Sequence, residues 1–172
     1  DVYKRQRLMN KVMTLADDHN ISIYYTDTDS IHIDEAGVEP LAKHYEKQYG
    51  KPLIGKAMGQ FHCDFDPDEW RGKGFKNIKS IGLITLGKKS YIDKLEGVDK
   101  DGKKHYTFHI RLKGISPAAI EDHVKKEKEN NSNYDEFELY KRLFGREAIQ
   151  FDMKVNNKVR FQKSKDQEFY TF

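Results

Sequence analysis

Two aspartates one residue apart, Asp27 and Asp29, stand in the string YYTDTDSIHI, residues 24–33. β-rich runs flank them, so they fall at the expected tip of a hairpin. On a strand, residues of equal parity leave the same face, which would set the two carboxylates side by side. Unpaired like charges at that distance raise each other's pKa and cost stability. A hard divalent cation with oxygen ligands reverses that cost. A solvated turn is the plain alternative, because Asp is common in turns. An EF-hand does not fit: Ile31 and His32 stand where that loop needs an oxygen ligand and a glycine.

Charge is the second chemical signal. Residues 1–70 carry 8 Lys/Arg and 13 Asp/Glu, a net of −5, whereas residues 71–113 carry 12 and 4, a net of +8. An acidic site followed by a basic stretch points to a polyanion partner and a metal. Lys88 and Lys89 would by themselves be an ordinary solvated surface. Together with Arg71, Lys73, Lys76, Lys79, Arg111 and Lys113, and with Phe75 and Tyr91 interleaved, they have the composition of a phosphate-tracking groove. FHCD at 61–64 offers His62, Cys63 and Asp64, but no second Cys/His pair lies at zinc spacing. The lone Cys63 excludes an internal disulfide and suits a reducing compartment. A mean hydropathy of −0.89 implies a modest core. No apolar run is long enough for a membrane-spanning helix, so no membrane partner is expected.

These residues need elements to hold them. Leu8, Val12, Leu15 and Ala16, with Met9 and Met13 beside them, predict a helix over about 5–19, with Asn20 as its left-handed stop. Ile21, Ile23 and Tyr25, then Ile31 and Ile33, predict the hairpin around the aspartates. Pro40 is expected near the first turn of a second helix containing Leu41, His44, Tyr45 and Gln48. Residues 50–77 read as irregular, with Trp70 a packing anchor. Strands are expected over 78–86, 89–96 and 105–113, the last two joined by the Asp-Gly of GVDKDGK. A composition break follows at 114–117. Ser116 and Pro117 open a helix, and DEFE at 135–138 opens another that Gly145 can close. Ile149, Phe151, Met153 and Val155, then NNK, then Val159 and Phe161 predict a last hairpin. YKR at 140–142 and NNK at 156–158 read as surface. The plan is α+β, with one unit at 1–115 and a smaller one at 116–172.

The string YTDTDS, residues 25–30, with a β-run before it and Ile31 behind, resembles the third palm motif of family B DNA polymerases, Tyr-x-Asp-Thr-Asp-Ser. The resemblance continues downstream. Lys89-Ser90-Tyr91 is similar to the Lys-x-Tyr motif of that family, and RLKGIS at 111–116 to the basic strand that leads into the thumb. It covers roughly residues 7–172. GQFHCDF and a short thumb look most like the viral and plasmid branch that includes protein-primed enzymes. The tripeptide alone would also suit the Asp-x-Asp metal site of a sugar-nucleotide transferase. A non-catalytic nucleic-acid-binding module that keeps a palm-like fold is the other alternative.

The resemblance implies a partial palm, an antiparallel sheet with helices, over 1–115, and a small α+β thumb over 116–172. It implies that Asp29 would be a direct ligand of two catalytic Mg²⁺ ions and Asp27 a member of the same acidic cluster. Tyr25, Thr28 and Ser30 would support the hairpin. Lys89 and Tyr91 would contact the primer strand, with Lys88, Arg111 and Lys113 on DNA phosphates. The implied partners are primer–template DNA, a dNTP and, in the protein-primed branch, a terminal protein primer. No DxxSLYP-like and no KxxxNSxYG-like string occurs, so the second carboxylate strand and the triphosphate-gripping fingers are missing. DVYKRQ resembles a translated sequencing-adapter tail. Residues 1–6 are therefore expected to be non-native, and the chain a piece of a longer polymerase that is inactive alone.

Overall fold

The apolar positions of the first twenty residues recur every three or four residues, and in the computed structural model they form one face of helix α1, Val2–Asp18. The structure describes residues 2–153 and the backbone of 160–163 and 168–171. The chain divides into two units, Asp1–Lys113 and Gly114–Phe172, two residues before the expected break. Its class is α+β, as expected.

In the first unit α1 ends as its sequence predicts. Asn20 takes the left-handed conformation, with φ 54°. The Ile21 amide reaches back to the Ala16 carbonyl and the Asn20 amide to Asp17, the paired bonds of a Schellman stop. Strands β1, Ile23–Asp27, and β2, Ser30–Ile33, then form the expected antiparallel hairpin. Helix α2 is Glu35–Tyr49, five residues longer at its start than Pro40 implied. Pro40 is thus interior and deprives the Ala36 carbonyl of its helical partner. The acidic pair Asp34 and Glu35 suits the positive end of the helix dipole and favours the earlier start. Val12, Leu15 and Ala16 of α1 pack with Leu41 and Tyr45 of α2 and with Leu53. Ile21, Ile23, Ile31 and Ile33 close over this cluster. Gly37 lets α2 approach the chain entering β1, since a Cβ there would stand 2.8 Å from Ile21 Cγ2.

After an irregular segment come β3, Lys76–Gly87, β4, Ser90–Val98, and β5, Lys104–Leu112, an antiparallel meander in the order β3-β4-β5. The β4–β5 pairing runs unbroken from Ser90↔Leu112 to Val98↔Lys104. In the connecting loop the Asp99 carboxylate accepts from the Asp101 and Lys103 amides at 2.9 Å and from His105 Nε2 at 2.7 Å. Trp70 is a packing anchor, as expected: it is buried and stacks on Phe75. Gly97 leaves room for that ring, since a Cβ there would meet Trp70 Cζ3 at 2.5 Å.

In the second unit Ser116 caps α3, Pro117–Asn130, by accepting from the Ala119 amide at 3.3 Å. Asp135 caps α4, Glu136–Phe144, by accepting from the Glu138 amide at 2.8 Å. The expected left-handed stop at Gly145 falls one residue later. Gly145 has φ −69° and Arg146 φ 64°, and the Glu147 amide bonds the Arg142 carbonyl. The Arg142 side chain grips Glu147 and also meets Glu127 and the Tyr134 hydroxyl, which holds the turn in that register. YKR is therefore only in part the surface the sequence implied: Lys141 is exposed and pairs with Glu138, but Tyr140 is fully buried and Arg142 is engaged as above. Residues 149–153 form no strand despite their alternation. The last hairpin instead pairs β6, Arg160–Lys163, with β7, Glu168–Thr171. Val155, NNK at 156–158 and Val159 lie outside the described residues.

Candidate functional site

The acidic hairpin is two-faced because of one extra residue. Ile23 pairs with Ile33, but Tyr25 pairs with His32, so Tyr24 is a bulge in β1. Without it, Tyr25 would share the face of Ile23, toward the helices. With it, Thr26 and Ile31 stay on the helix face, and Tyr25, Asp27, Ser30 and His32 take the other. That other face meets the β3-β4-β5 sheet. The Tyr25 and Tyr91 rings lie 4.7 Å apart, and His32 sits edge-on to both, each at 5.6 Å.

Parity does not govern the two aspartates, because Asp29 is not in a strand. Asp27 pairs with Ser30 across a two-residue turn of Thr28 and Asp29. Thr28 has φ 54°, a costly value for a β-branched residue, and the Asp29 amide bonds the Asp27 carbonyl at 2.6 Å. Thr28 Oγ1 donates to Asp27 Oδ1, and Ser30 Oγ to the Asp27 carbonyl, both at 3.1 Å. Both hydrogen bonds are local to the turn. Each carboxylate meets its own cation. Lys89 Nζ lies 3.2 and 3.1 Å from the two oxygens of Asp27. Asp29 is exposed, with Arg5 of α1 at 3.7 Å, a contact worth little at that exposure. The Lys89 ammonium holds the Asp27 carboxyl below its ordinary range, opposed by partial burial and aided by Thr28 and Lys88.

Lys88 and Lys89 are the turn between β3 and β4, not strand residues: Gly87 pairs with Ser90, and Lys89 has φ 61°. The Lys89 amide donates to the Tyr25 hydroxyl at 2.9 Å. The motif that follows the acidic string by about sixty residues is thereby brought onto it through both the backbone and the side chain of Lys89. Tyr91 packs on Tyr25, and burial pushes its phenol above its ordinary value. Arg111 lies opposite Tyr91 on β5, and the Lys113 amide donates to Ser90 Oγ at 3.2 Å. Lys88, Arg111 and Lys113 are exposed.

Behind this front lie groups that the sequence reading missed. Asp93 is fully buried and accepts from Ser80 Oγ at 2.8 Å and from His32 Nε2 at 3.2 Å. His109, across from Asp93 on β5, lies 3.5 Å from the Tyr91 hydroxyl, and burial holds its imidazole below the ordinary value. Parity alone places Asp93 on the face of Tyr91; its depth depends on the hairpin lying over it. Two hard carboxylates are the right donor type for a cation such as Mg²⁺. Among the described residues, no three His, Cys, Asp or Glu side chains gather as a metal-ligand set, so Asp27 and Asp29 are at most part of one. No helix of the described residues is long and apolar enough to cross a membrane. No protein-family model and no curated protein matches the chain.

Proposed function

We propose that the chain is the later palm and the thumb of a DNA-directed DNA polymerase of the family B type. The observation that carries this reading is Lys89 Nζ on Asp27, across 62 residues of sequence, with Tyr91 packed on Tyr25. A primer terminus must touch an acidic metal-binding turn and a cationic strand end together, and the fold puts the two motifs in contact. The reaction is attack of a primer 3′-hydroxyl on the α-phosphorus of a dNTP, with pyrophosphate leaving. Asp29 and Asp27 would hold Mg²⁺, completed by a carboxylate outside this chain. When bound, the ions lower the charge of the attacking and leaving oxygens. Lys89 orients Asp27, and Lys88, Arg111 and Lys113 offer phosphate contacts. A terminal protein primer belongs to the same proposal.

The neutralised Asp27 and the incomplete ligand set favour one other reading, a non-catalytic nucleic-acid-binding module. The test is primer extension beside a gel shift. Residues 1–172 are expected to bind primer–template DNA in a salt-sensitive way and to extend nothing. In the longer reading frame with its upstream palm and fingers, extension should appear, and Asp29→Asn should abolish it while sparing DNA binding. Extension by the bare chain would refute the proposal, as would an active Asp29→Asn enzyme. A longer frame that binds DNA but never extends it would favour the binding module.

A further inference from the structure

We infer that Ser80, Asp93 and His32 form a positioning network that fixes the acidic hairpin against the turn carrying Lys89; its catalytic meaning rests on the polymerase reading. The network joins three strands, β3, β4 and β2, at one buried carboxylate. A fully buried carboxylate is costly, and an apolar residue of similar size would fill the space more cheaply. What an apolar residue lacks is direction. Tyr25, Tyr91 and His32 make an aromatic layer that tolerates sliding, whereas two hydrogen bonds to Asp93 admit one register. His32 is directly opposite Tyr25 in the hairpin, so fixing His32 fixes the strand that ends in Asp27. A slip by one residue would swing His32 to the helix face and break both Asp93–His32 and Tyr25–Lys89.

The ring's two nitrogens differ in the same sense. His32 Nε2 faces a carboxylate oxygen of Asp93, while buried Nδ1 has no hydrogen-bond partner. One ring nitrogen therefore makes the tie, and an amide nitrogen at the same reach can replace it. Leu at position 32 fills the volume without a donor, whereas Gln keeps a donor near the Nε2 position.

The readout is hydrogen exchange at the Lys89 amide, whose acceptor is the Tyr25 hydroxyl across the hairpin–sheet interface. It needs no catalysis, so it can fail while the polymerase reading stands, and the reverse. Losing a bond to a charged group should speed Lys89 exchange at least about tenfold in His32→Leu. The amides of Val12 and Leu15 in the helix core should keep their wild-type rates. His32→Gln should restore Lys89 to within about threefold of wild type, a difference well below one lost hydrogen bond. If His32→Leu does not fold, Ser80→Ala, which removes one of the two donors to Asp93, gives the same comparison. An unchanged Lys89 rate, or equal acceleration at Lys89, Val12 and Leu15, would overturn the positioning role.

Discussion

Replacing Asp27 by Asn removes one negative charge, and the salt dependence of DNA binding should report what that charge was holding. In the native fold Lys89 Nζ sits on both oxygens of Asp27, so its charge is already compensated. Lys88, Arg111 and Lys113 are the phosphate contacts proposed above, and their contacts release counterions from DNA. Three phosphate contacts give a slope of log K against log salt of about −2.7, or roughly a 40-fold loss between 50 and 200 mM salt. Asp27→Asn releases Lys89 as a fourth contact, so the slope should steepen to about −3.6 and the loss to roughly 150-fold. Lys89→Ala should act differently. It removes no phosphate contact, so the slope should stay near the native value, while affinity falls by a similar factor across the salt range because Asp27 is left bare beside the DNA. The double variant should recover that affinity. Fluorescence anisotropy of labelled primer–template DNA, titrated across this salt range, measures all three. A slope unchanged by Asp27→Asn, or flattened by one contact in Lys89→Ala, would refute the compensation.

Two further outcomes follow from the packing. His109 is held below its ordinary value of 6.5 first by burial and then by Arg111. The unfolded chain therefore binds a proton that the folded chain refuses, and stability should fall as pH drops below that value. Urea midpoints at about pH 7.5 and 5.5 should separate, and His109→Gln should narrow the gap; a gap unchanged in His109→Gln would sink the assignment. Gly97→Ala drives a methyl into the Trp70 ring, which should cost about 1–3 kcal/mol and shift the tryptophan emission. Unchanged melting and emission would show that the ring can move aside.

The helices were legible because their signals are local. Val12, Leu15 and Ala16 carry the period, Asn20 the stop, and Ser116 with Pro117 the start. The meander was legible because Tyr106, Phe108 and Ile110 alternate on a strand that has a neighbour. Residues 149–153 alternate too, yet alternation is not pairing, and no strand forms there. The Tyr24 bulge was hidden, since Ile23, Tyr24 and Tyr25 all favour strands and the step in register is set by what each face meets. Parity put Asp27 and Asp29 together and failed because Thr28 turns the chain between them. The acidic string and Lys89 were visible as residues, but their direct contact and the buried Asp93 depend on the hairpin lying on the sheet.

The bulge makes the hairpin a phase shifter. Below Tyr24 the strand obeys the helices, and above it the same strand obeys the sheet, so a few residues serve as the boundary between two packing layers. Length changes in this strand are therefore not graded. Deleting Tyr24 would remove only the extra residue: Ile23 and Tyr25 would become neighbours in a regular strand, and Tyr25 and Asp27 would keep the sheet face. Deleting Tyr24 and Tyr25 together would carry Thr26 to the sheet face and turn Asp27 toward the helix core. The position of the acidic turn is in this sense a matter of odd and even, which a side-chain substitution leaves untouched and the loss of one residue beyond the bulge inverts.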